Sequence, residues 1–201
     1  GERTMLKNLF NEKKAAQVAA YFLFRAGGPL SVLKLTKLLY LAERGSLEQF
    51  GEPMIGDHPV SMPHGPVLST TLDHINGMLA SGEGGWDSWI ADRQGHFLAL
   101  RDPQRVRSPE DLLELSPSDV TVLAAVWDQF GGMGQWALRD WTHEHCAEWR
   151  DPEGSSVPIP PEELLAALHF SPQQTEAILA RLREADGINA AFAAVAPAQG
   201  H

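Results

Sequence analysis

The segment from Leu35 to Ile75 constrains the fold of this chain more than any other stretch. Its first part is amphipathic at helical spacing, with Val32, Leu35, Leu38, Leu39 and Ala42 along one stripe. Gly51 and Pro53 are expected to end that helix, and a second amphipathic helix is predicted over residues 68–80, with Pro66 suited to its first position. The connection between the two helices is rich in proline but carries apolar side chains, which predicts a packed connection rather than a mobile loop.

The flanking segments extend this pattern on both sides. A mostly apolar helix is predicted from Lys7 to Arg25, and Ser31 is placed as the N-cap of the helix that follows. Residues 86–100 read as a β-hairpin that turns at Gly95. We expect this hairpin to pair with the extended piece near Val60.

The second half of the chain is predicted to be helical. Helices are expected over residues 119–130, 135–146, 162–170 and 172–186, the first of them capped by Ser116 to Asp119. The predicted fold class is therefore mainly α (α+β), a helical domain with a small antiparallel β element and a C-terminal helical appendage. The expected domain organisation is 1–150 for the main domain, 151–161 for a linker, and 162–201 for the appendage with a flexible tail.

Composition narrows the classes of protein that fit. The 201 residues contain a single cysteine, Cys146, which excludes an internal disulfide. The longest apolar run, Ala15 to Phe24, is too short to span a bilayer, so we expect a soluble, cytoplasmic protein. Charge is uneven: residues 1–107 hold 12 Lys and Arg against 11 Asp and Glu, and residues 108–201 hold 4 against 15. An acidic half favours a basic partner and disfavours nucleic acid, although an acidic surface also simply keeps a protein soluble.

Three short motifs in order resemble a known family. Lys34 to Tyr40 forms a Lys-Leu-x-Lys-Leu-Leu-Tyr helix, Phe50 to Pro53 reads Phe-Gly-x-Pro, and Gly65 to Val67 reads Gly-Pro-Val. A Thr-His element at Thr142-His143, with Trp149 to Pro152 downstream, completes the pattern. In this order and spacing the chain resembles the Panacea domain, the SocA-type antitoxin domain of bacteria, phages and plasmids. The resemblance spans roughly residues 15–152.

The resemblance implies an antitoxin that neutralises a cognate protein toxin by direct binding, in a type II toxin–antitoxin pair. It also implies a possible second role, as an adaptor that delivers the toxin to the ClpXP protease, with the tail from Gly187 to His201 as a tether. The residues that it marks as structural or partner-binding are Lys34, Leu35, Lys37, Leu38, Leu39, Tyr40, Gly51, Pro53, His64, Gly65, Pro66, Val67, Thr142 and His143. Trp86 and Trp149 beside loops, and Glu162 and Glu163 in the acidic half, are expected to face the toxin.

Two rival functions stay open at this point. The helices around Gly27 to Tyr40 could form a DNA-binding autorepressor, with Lys34, Lys37 and Arg44 as a solvated basic face. A small metal-dependent hydrolase could be centred on His64 or His143. However, neighbouring histidines two residues apart on a helix point to opposite sides, and His64 has no nucleophile at a recognisable spacing. We therefore expect no enzyme activity, no metal and no cofactor.

Overall fold

A computed structural model describes residues 6–195 of the chain. Within that range the protein is mainly helical, with a small amount of antiparallel sheet. The helices are α1 (Glu12–Ala26), α2 (Val32–Phe50), α3 (Ser69–Ile75), α4 (Trp86–Trp89), α5 (Pro117–Phe130), α6 (Gln135–His145), α7 (Pro161–Ala167) and α8 (Pro172–Val195). The strands are β1 (Leu30–Ser31), β2 (Pro59–Met62), β3 (Gly65–Leu68), β4 (Phe97–Leu98) and β5 (Val157–Pro158). The predicted fold class is confirmed.

Helix α2 lies at the centre of the main hydrophobic core. It contacts α1, α5, α6 and β3 along its length. Its predicted apolar residues Leu35, Leu38 and Leu39 are each at most 1% exposed. A helix with neighbours on most sides must be apolar on most sides, which explains why α1 and α2 both depart from a simple amphipathic pattern.

Helix ends follow the local chemistry of the sequence. The Ser31 hydroxyl accepts a hydrogen bond from the Lys34 amide at 3.1 Å, as the sequence predicts. Ser116 and Asp119 form a reciprocal capping box at the start of α5. Gly51 ends α2 in the left-handed conformation, at φ 65°, which a glycine adopts without steric cost.

The first helix is shorter than predicted. Helix α1 begins at Glu12 rather than at Lys7, because the Asn11 side chain caps it by accepting a hydrogen bond from Lys14 N at 3.0 Å. The residues before it run without helical structure against the connection after α2, where Asn11 N donates to Ile55 O at 3.0 Å. The apolar residues of this N-terminal stretch therefore cover the connection instead of extending the helix.

The Gly-Pro-Val motif is a strand and not a turn into a helix. Strand β3 pairs antiparallel with β2, and Pro66 lies opposite Ser61. The expectation that Pro66 opens a helix is therefore wrong, and α3 begins at Ser69 and ends at Ile75, five residues earlier than predicted. The strand order of this sheet is β3-β2-β5, so β3 is an edge strand. An edge strand accommodates a proline, because the missing amide hydrogen can face away from the sheet.

The predicted hairpin over residues 86–100 is only partly confirmed. Its first residues form the helical turn α4, while bridges between Ile90 and Leu100 and between Gln94 and Phe97 close a hairpin around Gly95. Gly95 has the expected positive φ, at 61°. Strand β4 pairs with β1 and not with the strand that contains Val60, so that part of the prediction is wrong.

The C-terminal region packs closely on the rest of the chain. Strand β5 comes from the predicted linker and pairs with β2, with Val157 opposite Ser61. Helix α8 continues to Val195, so residues 187–195 are helical where a mobile tail was expected, and the remainder of that tail, residues 196–201, lies outside the described residues. The division into domains stays a prediction. Within residues 6–195, each helix is too short or too polar to cross a membrane.

Candidate functional site

The family-like motifs meet at a buried lysine on α2. Lys37 is 0% exposed, and its ammonium donates to the carbonyl of Pro66 at 2.8 Å. Because burial removes water from the charged form, it lowers the pKa of Lys37 to about 7. The expectation that Lys37 belongs to a solvated basic face is therefore wrong.

Because Gly65 has no side chain, β3 and α6 can both pack closely against this lysine. Its φ of 108° lies in the region that side chains disfavour, and a Cβ there would be 2.8 Å from Thr142 Oγ1 and 3.0 Å from Lys37 Cε. Thr142 is itself 0% exposed and donates to Arg139 O at 2.7 Å within α6. Residues of three segments that are far apart in the sequence thus form one tightly packed contact.

One turn along α2, a second buried group ties the helix to the end of α6. The carboxylate of Glu148, which is 3% exposed, accepts a hydrogen bond from Tyr40 Oη at 2.9 Å. It also accepts from Arg44 Nε at 2.7 Å and Nη2 at 3.3 Å. Burial raises the pKa of the neighbouring Cys146 thiol to about 12, which keeps that thiol protonated and unreactive at neutral pH.

A second buried carboxylate, that of Glu43, shapes the connection after α2. Glu43, which is 2% exposed, accepts hydrogen bonds from four successive backbone amides, those of residues 54–57. Ser46 Oγ donates to Glu52 O at 2.7 Å in the same connection. Burial raises the pKa of Glu43, and the four amide hydrogen bonds act in the opposite direction. The predicted packed connection is therefore stabilised by hydrogen bonds from its backbone amides to a buried carboxylate, and not by backbone pairing within a helix or sheet.

Beside these buried groups, the tip of the β2–β3 hairpin meets α6 and the segment after it in a partly exposed aromatic surface. We call His64, Trp136, Arg139, His143 and Trp149 the hairpin-tip surface. The His64 ring meets the Trp136 ring edge to face at 5.9 Å, and the Arg139 guanidinium lies 4.8 Å from the centre of the Trp136 ring. The His143 and Trp149 rings stack at 3.9 Å. Trp136 is 52% exposed, a large exposed fraction for a tryptophan.

Two features fix the position of this surface. Trp149 is half-buried, and its Nε1–H donates to Met62 O at 2.9 Å, which ties it to β2. Nε2 of His143 is buried and has no hydrogen-bond partner among residues 6–195. Burial, followed by the positive charges of Arg139 and Lys37, lowers the pKa of His143, so that this ring is neutral at pH 7.

The other predicted site residues lie elsewhere. The expectation that Trp86 is a surface residue is wrong: it is 2% exposed and belongs to the main hydrophobic core, where its ring stacks on His74. Its amide donates to Glu12 Oε2 at 2.7 Å. Lys34 is half-buried and donates to Gly131 O at 2.6 Å. Glu162 and Glu163 lie in the first turn of α7.

The predicted basic face of α2 does not exist as such. Lys37 is buried, and Arg44 is paired with Glu148 at 2.7 Å. Of the three cations on which the DNA-binding alternative depends, only the half-buried Lys34 is left, and one cation gives weak phosphate affinity. Across residues 6–195, no three or more His, Cys, Asp and Glu side chains are arranged so that they could hold a metal ion.

Sequence reasoning missed three residues that matter here. Glu43 and Glu148 read as ordinary charged residues, and their partners lie 11–14 and 104–108 positions away in the chain. Trp136 falls within the predicted helix over residues 135–146, and the sequence alone does not distinguish it from a core residue. A weak signal was available, because Trp136, Arg139 and His143 lie at i, i+3 and i+7 on one face of α6.

These features define a mainly helical domain in which the motif residues Lys37, Tyr40 and Thr142 are fully buried, and in which an aromatic surface lies beside the tip of the β2–β3 hairpin. The sequence model of the family described as "Antitoxin SocA-like, Panacea domain" matches residues 35–150, more than half of the chain. The protein belongs to this family. Comparison with curated proteins and with solved structures finds no match. Membership of an antitoxin-like family favours a non-enzymatic role and a toxin as partner.

Proposed function

We propose that this protein is the antitoxin of a type II toxin–antitoxin pair, and that it neutralises a cognate protein toxin by direct binding in the cytoplasm. The observation that carries the proposal is the family match over residues 35–150. The burial of Lys37, Tyr40 and Thr142, each 0% exposed, agrees with a non-enzymatic role, because groups packed into a core act as a scaffold rather than as a reaction centre.

The hairpin-tip surface is our candidate for the toxin-binding surface. Trp and Arg side chains dominate the binding energy of protein interfaces, and Trp136 with Arg139 offers both on a rigid helix. The charge of Arg139 is neutralised by Asp140, whose Oδ1 lies 2.8 Å away. Exposed carboxylates continue on the same segments, at Asp140, Glu144, Asp151 and Glu153. An aromatic centre with an acidic rim suits a basic partner.

The test begins with the product of the neighbouring gene. This product should arrest growth when expressed alone, and it should be silenced by, and co-purify with, this protein. Trp136→Ala should weaken neutralisation, while Phe97→Ala, which alters an aromatic residue of similar exposure (54%) on a different hairpin, should not. A harmless or unbound neighbour would refute the antitoxin function, and full activity of Trp136→Ala would refute only the assigned surface.

An adaptor role toward the ClpXP protease is the finer part of the proposal. Because residues 187–195 belong to α8, only residues 196–201 are retained as the tether. Deletion of residues 196–201 should leave neutralisation intact and slow degradation of the toxin. Degradation at the original rate would eliminate the adaptor role and leave the antitoxin role standing.

A further inference from the structure

An open apolar groove lies between the N-terminal stretch, the β2–β5 sheet and the last two helices. Its cavity volume is about 400 Å³, within the usual range of ligand and peptide sites. Leucine and proline side chains form most of its lining, and the apolar residues there include Leu47, Pro158, Ile159, Leu164 and Leu182. The carboxylate of Glu43, which also lines the groove, is already occupied by four backbone amides. The groove therefore suits an apolar occupant.

The last two turns of α8 present an apolar stripe to solvent. Ile188, Phe192 and Val195 lie at i, i+4 and i+7, so they share one face of the helix. They are 50%, 70% and 76% exposed. Residues 187–195, which we call the arm, contain no charged side chain. An exposed apolar stripe of this kind marks an interaction surface.

The arm cannot fill the groove of its own molecule while α8 remains one helix. Leu182, which lines the groove, and Phe192 belong to the same continuous helix. At 1.5 Å per residue they are about 15 Å apart along the axis, and Ile188 is rotated by about 120° from Leu182. The apolar stripe therefore does not face the apolar groove of the same molecule, and among residues 6–195 no other segment covers either of them.

We propose that two copies of this protein form a symmetric dimer in which the arm of each copy lies in the groove of the other. A twofold arrangement satisfies both unpaired surfaces of both copies at once and leaves no open end for further growth. The net charge of −10 opposes association of two copies, but the arm is uncharged, so screening by salt should strengthen the dimer. The proposal does not depend on the antitoxin function.

The test measures the mass of the full chain against concentration, by sedimentation or by light scattering after gel filtration. The wild type should be a dimer at high concentration, with a dissociation constant that falls as salt is added. Phe192→Ala should raise the dissociation constant roughly a hundredfold, because each dimer loses two anchors of about tenfold each. Phe97→Ala, at 54% exposure on another surface, should have no effect. A chain that stays monomeric, or a dimer that is insensitive to Phe192→Ala, overturns the proposal.

A mixing experiment separates arm-in-groove exchange from pairing of two arms. Pro158→Glu places a charge in the groove at an exposed strand position, and it should weaken the homodimer as Phe192→Ala does. A mixture of the two variants should recover a heterodimer, because the intact arm of one fits the intact groove of the other. Failure to recover any heterodimer from two folded variants, as judged by circular dichroism, would overturn the exchange.

Discussion

Replacement of Lys37 by methionine should change how stability depends on pH. In the folded protein, burial lowers the pKa of Lys37 to about 7, whereas an unfolded lysine has a pKa of about 10.4. A base whose pKa is lower in the folded state than in the unfolded state destabilises the fold when it is protonated. This loss of folding free energy is complete at pH values below the pKa of the folded state and absent at pH values above the pKa of the unfolded state. The wild type should therefore become more stable as pH rises above 7, and Lys37→Met should lack this gain.

The magnitude follows from the protons bound in each state. Between the two pKa values the unfolded chain holds one proton more than the folded chain, so the free energy of unfolding rises by up to about 1.4 kcal/mol per pH unit. From pH 7 to about pH 8.5 the gain should be about 1.5 kcal/mol, since the lysine is half protonated at the lower limit. Toward the upper limit Cys146 begins to act in the opposite direction, because its folded pKa is raised to about 12 and the unfolded thiol, with a pKa of about 8.5, loses its proton first. This effect is the same in wild type and Lys37→Met, so it cancels in the comparison of the two.

Urea unfolding of wild type and Lys37→Met at several pH values between 7 and 8.5 measures this difference. The matched control is Lys13→Met, which removes a lysine from an exposed position on α1 and should keep the wild-type slope. At pH 7 the methionine variant should be at least as stable as the wild type, because an apolar side chain replaces a buried cation. Parallel pH profiles for wild type and Lys37→Met would refute the burial argument.

Three further substitutions test single contacts. Gly65→Ala should lower the free energy of unfolding by about 2–3 kcal/mol, because the new Cβ would meet Thr142 Oγ1 at 2.8 Å. Gly95→Ala is the control: φ is also positive there but the Cβ would meet open space, so the free energy of unfolding should fall by only about 1 kcal/mol. Glu43→Gln should cost about 3 kcal/mol in urea unfolding, because its amide group would oppose backbone donors. Gly187→Ala lies inside α8 with open space at its Cβ, and it should raise the thermal midpoint through a helix gain of about 0.5–1 kcal/mol.

Local chemistry made much of the helical framework predictable. Ser31 and Ser116 cap the helices that follow them, and Gly51 ends α2 as expected. These signals act over a few residues, within the reach of sequence patterns. The boundary at Asn11 was missed although asparagine is a good N-cap, because the apolar pattern continues on both sides of it.

Strand pairing and the buried charges could not be predicted in the same way. Val157 pairs with Ser61 across almost a hundred residues, and a strand of two residues leaves no periodic trace. Lys37 lies off the apolar stripe of α2 and reads as solvated, but β3 and α6 cover that side of the helix. The hairpin-tip surface likewise depends on packing between segments, so the sequence indicated some of its residues and not their assembly.

The hydrogen-bond partners of the polar side chains of α2 lie at very different distances along the chain. We expect the contacts that are close in sequence to form before the distant ones. Glu43 reaches amides only 11–14 residues away, a loop that closes quickly. Tyr40 and Arg44 depend on Glu148, more than 100 residues downstream. During synthesis the connection after α2 can therefore form early, while the polar side of the same helix stays in water until the end of α6 leaves the ribosome. A nascent chain shorter than about 150 residues should thus expose Lys37 to modifying reagents from which the finished protein shields it.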